Sequence, residues 1–486
     1  MGVRTGAQYI AGLKEHKREV WLRGRRIDDV TEEPAFQKPI QQLANLFDMQ
    51  HDPEYAAVLT YPSPTSGEPV ATALMPARNY EDLVTRREGY RVWAEATFGL
   101  MGRSQDYMNG VLLAFAEAHQ LFAKGGEQFG ENVVKYYEYI RENDLFLTHA
   151  IVSPQTDRSK SSAEQEGDFL HLGAVRETDD GIIVRGARML ATLGPVADEM
   201  LVYNLPNLQK QDTKHALVFA LPVDTPGVRQ MCREPFDEGG RSSFDHPLAT
   251  NFEESDTLII FDDVFVPWDR IFVYNNVDLS NAVFPQTFLR NYTAHQSSIR
   301  GLVKMQFAVG LAMAISEAVK SNGFLHVQVM FGECLEALEL IKGCLTRAEI
   351  EYETTESGVI LPQYQPLQAI RTFMPRCYPK AIEVLQTVGA GGLLMMPSAA
   401  DLTSPVGAEI ERFYQGADGL SGTDRIRLYK LAWDLCGDSF GSRQLQYERY
   451  YAGDPVRSTA MNYLNFDKSE SQELVRRALE LAGDPE

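Results

Sequence analysis

Apolar residues recur at three- and four-residue spacing in residues 39–47, 81–98, 106–122 and 132–143, and this period predicts amphipathic helices. Tyr90, Trp93 and Phe98 form an aromatic stripe that reads as core, while His51-Asp52-Pro53 and Tyr61-Pro62-Ser63-Pro64 mark turns. From about residue 146 the period shortens towards two. Residues 173–177 and 182–186 flank the turn Asp179-Asp180-Gly181 as a hairpin, and further strands are expected at 199–203, 216–221, 228–233 and 258–261. After residue 276 the helical period returns in long stretches at 289–322, 326–354, 365–389, 424–438 and 444–451. The expected fold is α+β in three domains: an N-terminal helical domain (1–145), a middle β domain (146–275) and a C-terminal helical bundle (276–486). Gly389-Ala390-Gly391-Gly392 lacks both a preceding strand and a following Lys-Ser/Thr, so it reads as a closely packed helix end rather than a phosphate cradle.

Composition narrows the class. The 486 residues are 44% hydrophobic and 10% aromatic, ordinary for a globular protein that folds without staples. A net charge of −21 disfavours nucleic acid and anionic membrane surfaces as partners. No run approaches the roughly 20 apolar residues of a membrane span and the N-terminus shows no secretory h-region, so a cytoplasmic location is expected. The five cysteines, Cys232, Cys334, Cys344, Cys377 and Cys436, are scattered and read as small buried hydrophobes rather than a disulfide framework or zinc site. The nine histidines show no ligand spacing, and no metal is expected. No Gly-x-Gly-x-x-Gly follows a strand, so a Rossmann nucleotide site has no support.

The candidate chemistry starts at Met101-Gly102-Arg103-Ser104-Gln105-Asp106-Tyr107. Gly102 suits a turn, Ser104 an N-cap, and Asp106 the first turn of the helix that follows, where it charges the N-terminus. Arg103 then sits just outside the helix start, with Tyr107 one turn further on. Both can lean into one space that the helix N-terminus makes favourable for an anion. Alone, this pair reads as a surface salt bridge and a core tyrosine. Thr148-His149-Ala150 and Pro154-Gln155-Thr156-Asp157-Arg158 supply the rest of a site.

Dispersed motifs carry a resemblance across nearly the whole chain. They are Arg4-Thr5-Gly6 with Tyr9, the 101–107 stretch, Thr148-His149-Ala150, Pro154-Gln155 with Arg158, and residues 181–192. They continue through Phe244-Asp245-His246-Pro247-Leu248, residues 261–268, Tyr447-Glu448-Arg449 and Gly453-Asp454-Pro455. The chain resembles the oxygenase component of two-component, reduced-flavin-dependent aromatic hydroxylases, the 4-hydroxyphenylacetate 3-monooxygenase family, whose fold is that of the acyl-CoA dehydrogenases; this implies that the middle domain (146–275) is a β-barrel domain.

The resemblance implies ortho-hydroxylation of a para-substituted phenol to a catechol through a flavin hydroperoxide. It places Arg103, Tyr107 and His149 on the phenolic oxygen. It places FAD against His149, Ala150, Ile151, Gln155, Thr156, Asp157, Arg158, Thr192, Pro455, Val456, Arg457 and Ser458. Without it, Thr192 reads as a strand-end hydroxyl bonded to backbone and 455–458 as a plain loop. A phenol near pKa 10 needs about 4 kcal/mol to ionise at neutral pH, and one hydrogen bond to a charged group supplies about 1.5–3 kcal/mol, so an arginine with a second donor is of the right order. Arg103 is assigned the fixed charge, Tyr107 a donated hydrogen bond, and His149 the taking or sharing of the phenolic proton.

At the substrate's far end, members that handle hydroxyphenylacetate offer hydroxyl side chains where Leu205 and Pro206 align, which leaves the acid open against a neutral or carrier-linked phenol. Residues 158–168 or 193–211 are expected to cover the site and exclude water. A separate NAD(P)H-dependent flavin reductase, molecular oxygen and a homotetramer are also implied. The alternative is a flavoprotein lyase or dehydrogenase of the 4-hydroxybutyryl-CoA dehydratase/acyl-CoA dehydrogenase type. The lyase needs cysteine ligands for an iron–sulfur cluster, where this chain has Arg103 and Tyr107, and His295 then reads as structural. No glutamate base for a dehydrogenase stands out.

Overall fold

The structure, a computed structural model, describes residues 2–167 and 169–481. Its main helices are α1 (Gly6–Glu15), α2 (Pro34–Met49), α3 (Tyr80–Ala96), α4 (Gln105–Glu117), α5 (Glu127–Asn143), α6 (Leu289–Ala318), α7 (Leu325–Ile350), α8 (Tyr364–Gly389), α9 (Gly422–Cys436), α10 (Ser439–Tyr450), α11 (Pro455–Asn465) and α12 (Ser469–Glu480). Ten strands build the two larger sheets: β1 (Glu19–Leu22), β2 (Arg25–Ile27), β3 (Leu147–Ala150), β4 (Gly173–Thr178), β5 (Gly181–Thr192), β6 (Glu199–Val202), β7 (Leu217–Pro222), β8 (Val228–Cys232), β9 (Asp256–Pro267) and β10 (Ile271–Tyr274).

The expected barrel is corrected: among the described residues no sheet closes. One sheet runs β2-β1-β8-β9-β5-β4 and the other β10-β7-β6-β3. Alternation identifies strands but says nothing about closure, which depends on pairings far apart in sequence. The edge of the larger sheet comes from the segment read as helical. There β1 and β2 form a hairpin around Arg23 and Gly24, both at positive φ (50° and 75°). Two such residues in succession are what a tight hairpin turn demands. With strands of only four and three residues, the hairpin is too short for its period to show.

The first motif proves structural. Thr5 and Gln8 form a capping box on α1, and Gly6 lies against α2, where an added Cβ would stand 2.5 Å from the Ala44 carbonyl oxygen. Arg4 donates to the Asp144 carbonyl at 2.9 Å and pairs with Asp198, and Tyr9 donates to the Val196 carbonyl at 2.7 Å. The N-terminus thus clamps the start of β3 to the loop after β5.

Helix α6 is the centre of the bundle, packed by α3, α4, α7 and α8. Among the described residues it is the one helix long and apolar enough to cross a membrane. Its buried Asn291, His295, Gln296, Arg300 and Lys304 find their place in a protein interior. His246, Asp434 and Asp438 form the group of ligand-type side chains that spacing did not reveal. Arg241 already donates to Asp438 at 2.8 Å, and Asp434 accepts the amides of Leu248 and Ala249 at 2.6 and 2.8 Å. The Phe244–Leu248 motif therefore pins the approach to β9 onto α9 and α10.

Candidate active site

The N-terminus of α4, the end of β3 and the end of β5 meet where Arg103, His149 and Thr192 lie. All three are buried; Tyr107 is half-buried. The turn before α4 differs in two details from expectation. Gly102 is not at positive φ; it is needed for space, because an added Cβ would stand 2.3 Å from the Tyr447 hydroxyl oxygen. Ser104 occupies the N-cap position, but its hydroxyl donates to Asp106 at 2.7 Å rather than capping the helix. Asp106 also receives Gln296, and burial raises its pKa against those bonds, so it belongs to the helix packing and not to the ligand space.

Arg103 is the hub. Its backbone N–H donates to Glu254 at 2.9 Å, its Nε to His149 Nε2 at 3.0 Å, and its Nη1 to the Gly102 carbonyl at 3.1 Å and the Tyr447 hydroxyl at 2.5 Å. The Tyr107 ring faces its guanidinium at 4.1 Å. Among the described residues no carboxylate pairs with this guanidinium, and its Nη2 bonds to no protein group. The nearby acids are claimed by others. Arg443 donates to Glu254 at 2.9 Å and to Asp256 at 2.8 and 2.9 Å, and the Thr192 hydroxyl donates to Asp256 at 2.8 Å. Burial pushes Asp256 up, but Arg443 and Arg233 overcome it and hold the carboxylate well below its ordinary range.

An arginine only donates, so His149 Nε2 must offer a lone pair and the ring proton sits on Nδ1, which has no partner in the protein. Burial and then the Arg103 charge lower the His149 pKa to about 3. His149 is therefore neutral near pH 7, with Nε2 accepting from Arg103 and the Nδ1–H on the far side of the ring. The linkage has a definite sign. An unfolded histidine takes a proton near pH 6.5 and the folded one only near 3, so the unfolded state gains as pH falls below 6.5 and stability declines across that window. The urea midpoint of the wild type should fall more steeply between pH 6.5 and 5 than that of His149→Asn; equal slopes would contradict a neutral buried His149.

The other implied cofactor residues lie apart. Ile151 follows β3, with its carbonyl bonded by Arg188 at 3.3 Å. Gln155, Thr156, Asp157 and Arg158 are exposed in the loop beyond, where Thr156 donates to Gln165 at 2.6 Å. Pro455, Val456, Arg457 and Ser458 form the first turn of α11, and the Ser458 carbonyl accepts from Gln368 at 2.9 Å. That turn is helical rather than a loop. The structure gathers Arg103, Tyr107, His149 and Thr192, while residues 155–158 are exposed and 455–458 are exposed or half-buried. The Thr192 hydroxyl goes to a carboxylate rather than to backbone, while its carbonyl accepts from Thr148 at 2.8 Å. Leu205 and Pro206 are half-buried beside the fully bonded Asn204. The two expected cover segments touch through Gln211, which donates to Ser161 at 3.3 Å and Glu164 at 3.4 Å, and just beyond the second segment Asp212 accepts the Ala163 amide at 2.7 Å. Asp168, the end of the first cover segment, lies outside the described residues.

Sequence reasoning missed Tyr447 as a site residue. Its motif was visible, but its contact with Gly102 and Arg103 spans 345 and 344 positions and has no local signal. His295 is held in the bundle by Glu349 at 2.8 Å and the Tyr90 ring, away from any cysteine ligand set.

The residues fit an FAD. The orphaned Nδ1–H of His149 offers a buried donor beside the half-buried Ile151, and Arg457 on the first turn of α11 suits a phosphate. The family described as 4-hydroxyphenylacetate 3-hydroxylase matches through its N-terminal part at residues 5–273 and its C-terminal part at residues 280–480. The 4-hydroxyphenylacetate 3-monooxygenase oxygenase component of Thermus thermophilus is 40% identical over 98% of this chain and 97% of its own. A crystal structure of an oxygenase component of 4-hydroxyphenylacetate 3-monooxygenase, complexed with FAD and 4-hydroxyphenylacetate, superposes with a TM-score of 0.94 at 40% identity over 99% of both chains. An archaeal 4-hydroxybutyryl-CoA dehydratase from N. maritimus superposes with a TM-score of 0.89 at 20% identity, covering 100% of this chain and 96% of its own, and shows the fold alone, that of the acyl-CoA dehydrogenases.

Proposed function

Because this chain belongs to the 4-hydroxyphenylacetate 3-hydroxylase family, it is the FAD-dependent oxygenase component of a monooxygenase, and we propose that it ortho-hydroxylates a para-substituted phenol at Arg103, Tyr107 and His149. The observation that carries the proposal is the buried Arg103 guanidinium with no carboxylate partner and a free Nη2. A buried cation of this kind calls for an anion, and a phenolate supplies one.

Reduced FAD, when bound, supplies activated oxygen from O2; the residues here prepare the phenol. Arg103 Nη2 and the Tyr107 hydroxyl donate to the phenolic oxygen, and His149 keeps the guanidinium in place through its Nε2. Both are donors, so they bind the phenolate in preference to the phenol. The phenolic proton goes to solvent on binding instead of resting on His149. Ionisation raises electron density at the ring carbon ortho to the oxygen, where the new hydroxyl forms. Residues 149–151, 155–158, Thr192 and 455–458 are proposed to hold the flavin when it is bound, with 158–168 and 193–211 as cover that excludes water.

A separate reductase supplies the reduced flavin, and a nicotinamide-dependent one acting in the cytoplasm is proposed. A homotetramer is proposed because apolar side chains on α7 and α12, among them Leu325, Val329, Leu474 and Leu479, are left uncovered by a single chain. The named relative acts on 4-hydroxyphenylacetate; Leu205 and Pro206 provide no hydroxyl for its carboxylate, so neutral para-substituents are proposed as substrates beside the acid. Turnover under 18O2 tests the reading. One labelled oxygen per catechol is expected, and an unlabelled product or none from any para-substituted phenol would overturn it.

A further inference from the structure

Two of the three nitrogens of the Arg103 guanidinium are already committed, and what commits them decides where the third points. Nε is bonded to His149, and Nη1 to the Gly102 carbonyl and the Tyr447 hydroxyl. A guanidinium is a rigid planar fork, so these bonds fix its plane and its roll. The Gly102 carbonyl belongs to the adjoining peptide and moves with Arg103. Tyr447 is the anchor on Nη1 that comes from another element.

Tyr447 is itself firmly held. Its ring stacks on Tyr451 with centroids 5.9 Å apart and planes at 21°. The guanidinium groups of Arg300 and Arg443 stand 5.2 and 5.7 Å from the ring centroid. The neighbouring residues of α10 and α6 grip the same turn. Gln444 donates to the Leu100 carbonyl at 3.1 Å, and Arg300, bonded to Glu448, donates to the Gly99 carbonyl at 2.9 Å. The turn from Gly99 to Arg103 is therefore fastened to the bundle at successive residues, ending at the Tyr447 hydroxyl. That hydroxyl accepts from Arg103, while its own proton has only a long bond of 3.5 Å to Gly102. Burial raises its pKa to about 12 against the pull of Arg103 and Arg300, so it stays a neutral acceptor.

We propose that Tyr447 is a positioning residue for the hydroxylation, holding the Arg103 guanidinium from the bundle side so that its free Nη2 faces the phenolic oxygen. This rests on the reading of Arg103, Tyr107 and His149 as the phenolate site. Tyr447→Phe keeps the ring and its stacking and removes only the acceptor. Arg103 then keeps its charge and loses its direction.

The test uses 4-nitrophenol, whose anion absorbs visible light, bound to the FAD-loaded oxidised enzyme and titrated with pH. The wild type should bind the probe as its anion, titrating well below the free probe. Tyr447→Phe should move that titration upward by about one pH unit, a roughly tenfold weaker preference for the anion, with FAD affinity unchanged. Tyr447→4-aminophenylalanine, which keeps the ring and a neutral acceptor at the same place, should recover most of the shift and gives a second reading if the phenylalanine variant does not fold. A Tyr447→Phe enzyme that titrates as the wild type while Arg103→Ala is shifted overturns the role of Tyr447 alone. A wild type that leaves the probe titrating as in solution overturns the phenolate site and this role with it.

Discussion

Replacing Arg103 with alanine is expected to lower catechol formation by about 10²–10³-fold, the cost of removing a preorganised donor to a developing oxyanion. The affinity for FAD should change little. Among the described residues no carboxylate pairs with the guanidinium, which is buried and spends Nε on His149 and Nη1 on Tyr447. Without it, binding the phenolate depends on one neutral donor, Tyr107, which falls short of the roughly 4 kcal/mol that ionisation needs at neutral pH. Arg103→Lys should recover little, because one ammonium cannot reach His149, Tyr447 and substrate in a fixed geometry. Initial rates of product formation, beside FAD titrations, check both halves. Equal loss of flavin binding and product would instead give Arg103 a structural role.

The largest effect on stability is expected at Glu448, not at a site residue. It is buried and binds Arg300 at 2.7 and 3.1 Å and Lys304 at 2.9 Å, and both cations are buried too. Burial pushes the carboxyl up, yet the two cations overcome it and hold its pKa at about 2. Lys304 moves the other way: burial lowers it to about 8 because the pull of Glu448 does not fully offset its desolvation. Near pH 7 all three remain charged. Glu448→Ala leaves two buried cations uncompensated, and breaking such a group costs about 3–5 kcal/mol. Denaturant unfolding should show a loss of that size. The folded pKa lies below that of an unfolded glutamate, near 4.3, so the contribution is present above that value and disappears as pH falls towards 2. Acid should consequently destabilise the wild type more than Glu448→Gln. Because Glu448 steadies the helix that carries Tyr447, the variant should also lose activity well below its melting temperature.

The parts of the site that lie within one helical turn were legible. Arg103 and Tyr107 flank the start of α4 as their spacing requires, and the helical and strand periods separate the bundle from the sheets. What needed long-range contact was not legible. The demand on Gly102 comes from Tyr447, and the Ser104 hydroxyl is drawn from its capping place by Asp106. Strand β9 runs from Asp256 to Pro267, well beyond the apolar run at 258–261, because a register shift between Phe261 and Val264 carries Asp262 and Asp263 outward and interrupts the alternation. The state of His149 was out of reach for a similar reason. A sequence shows an imidazole near pKa 6.5, whereas burial and one guanidinium turn it into a neutral donor.

The central claim is that this buried, donor-lined site delivers oxygen to a phenol, and a single turnover tests it most directly. Anaerobic protein carrying reduced FAD and a para-substituted phenol, first 4-hydroxyphenylacetate and then neutral analogues, is mixed with oxygenated buffer, and catechol is counted against flavin reoxidised. About one catechol per FAD is expected from the wild type and almost none from Arg103→Ala, with hydrogen peroxide in its place. Peroxide alone from the wild type with every phenol would contradict the account.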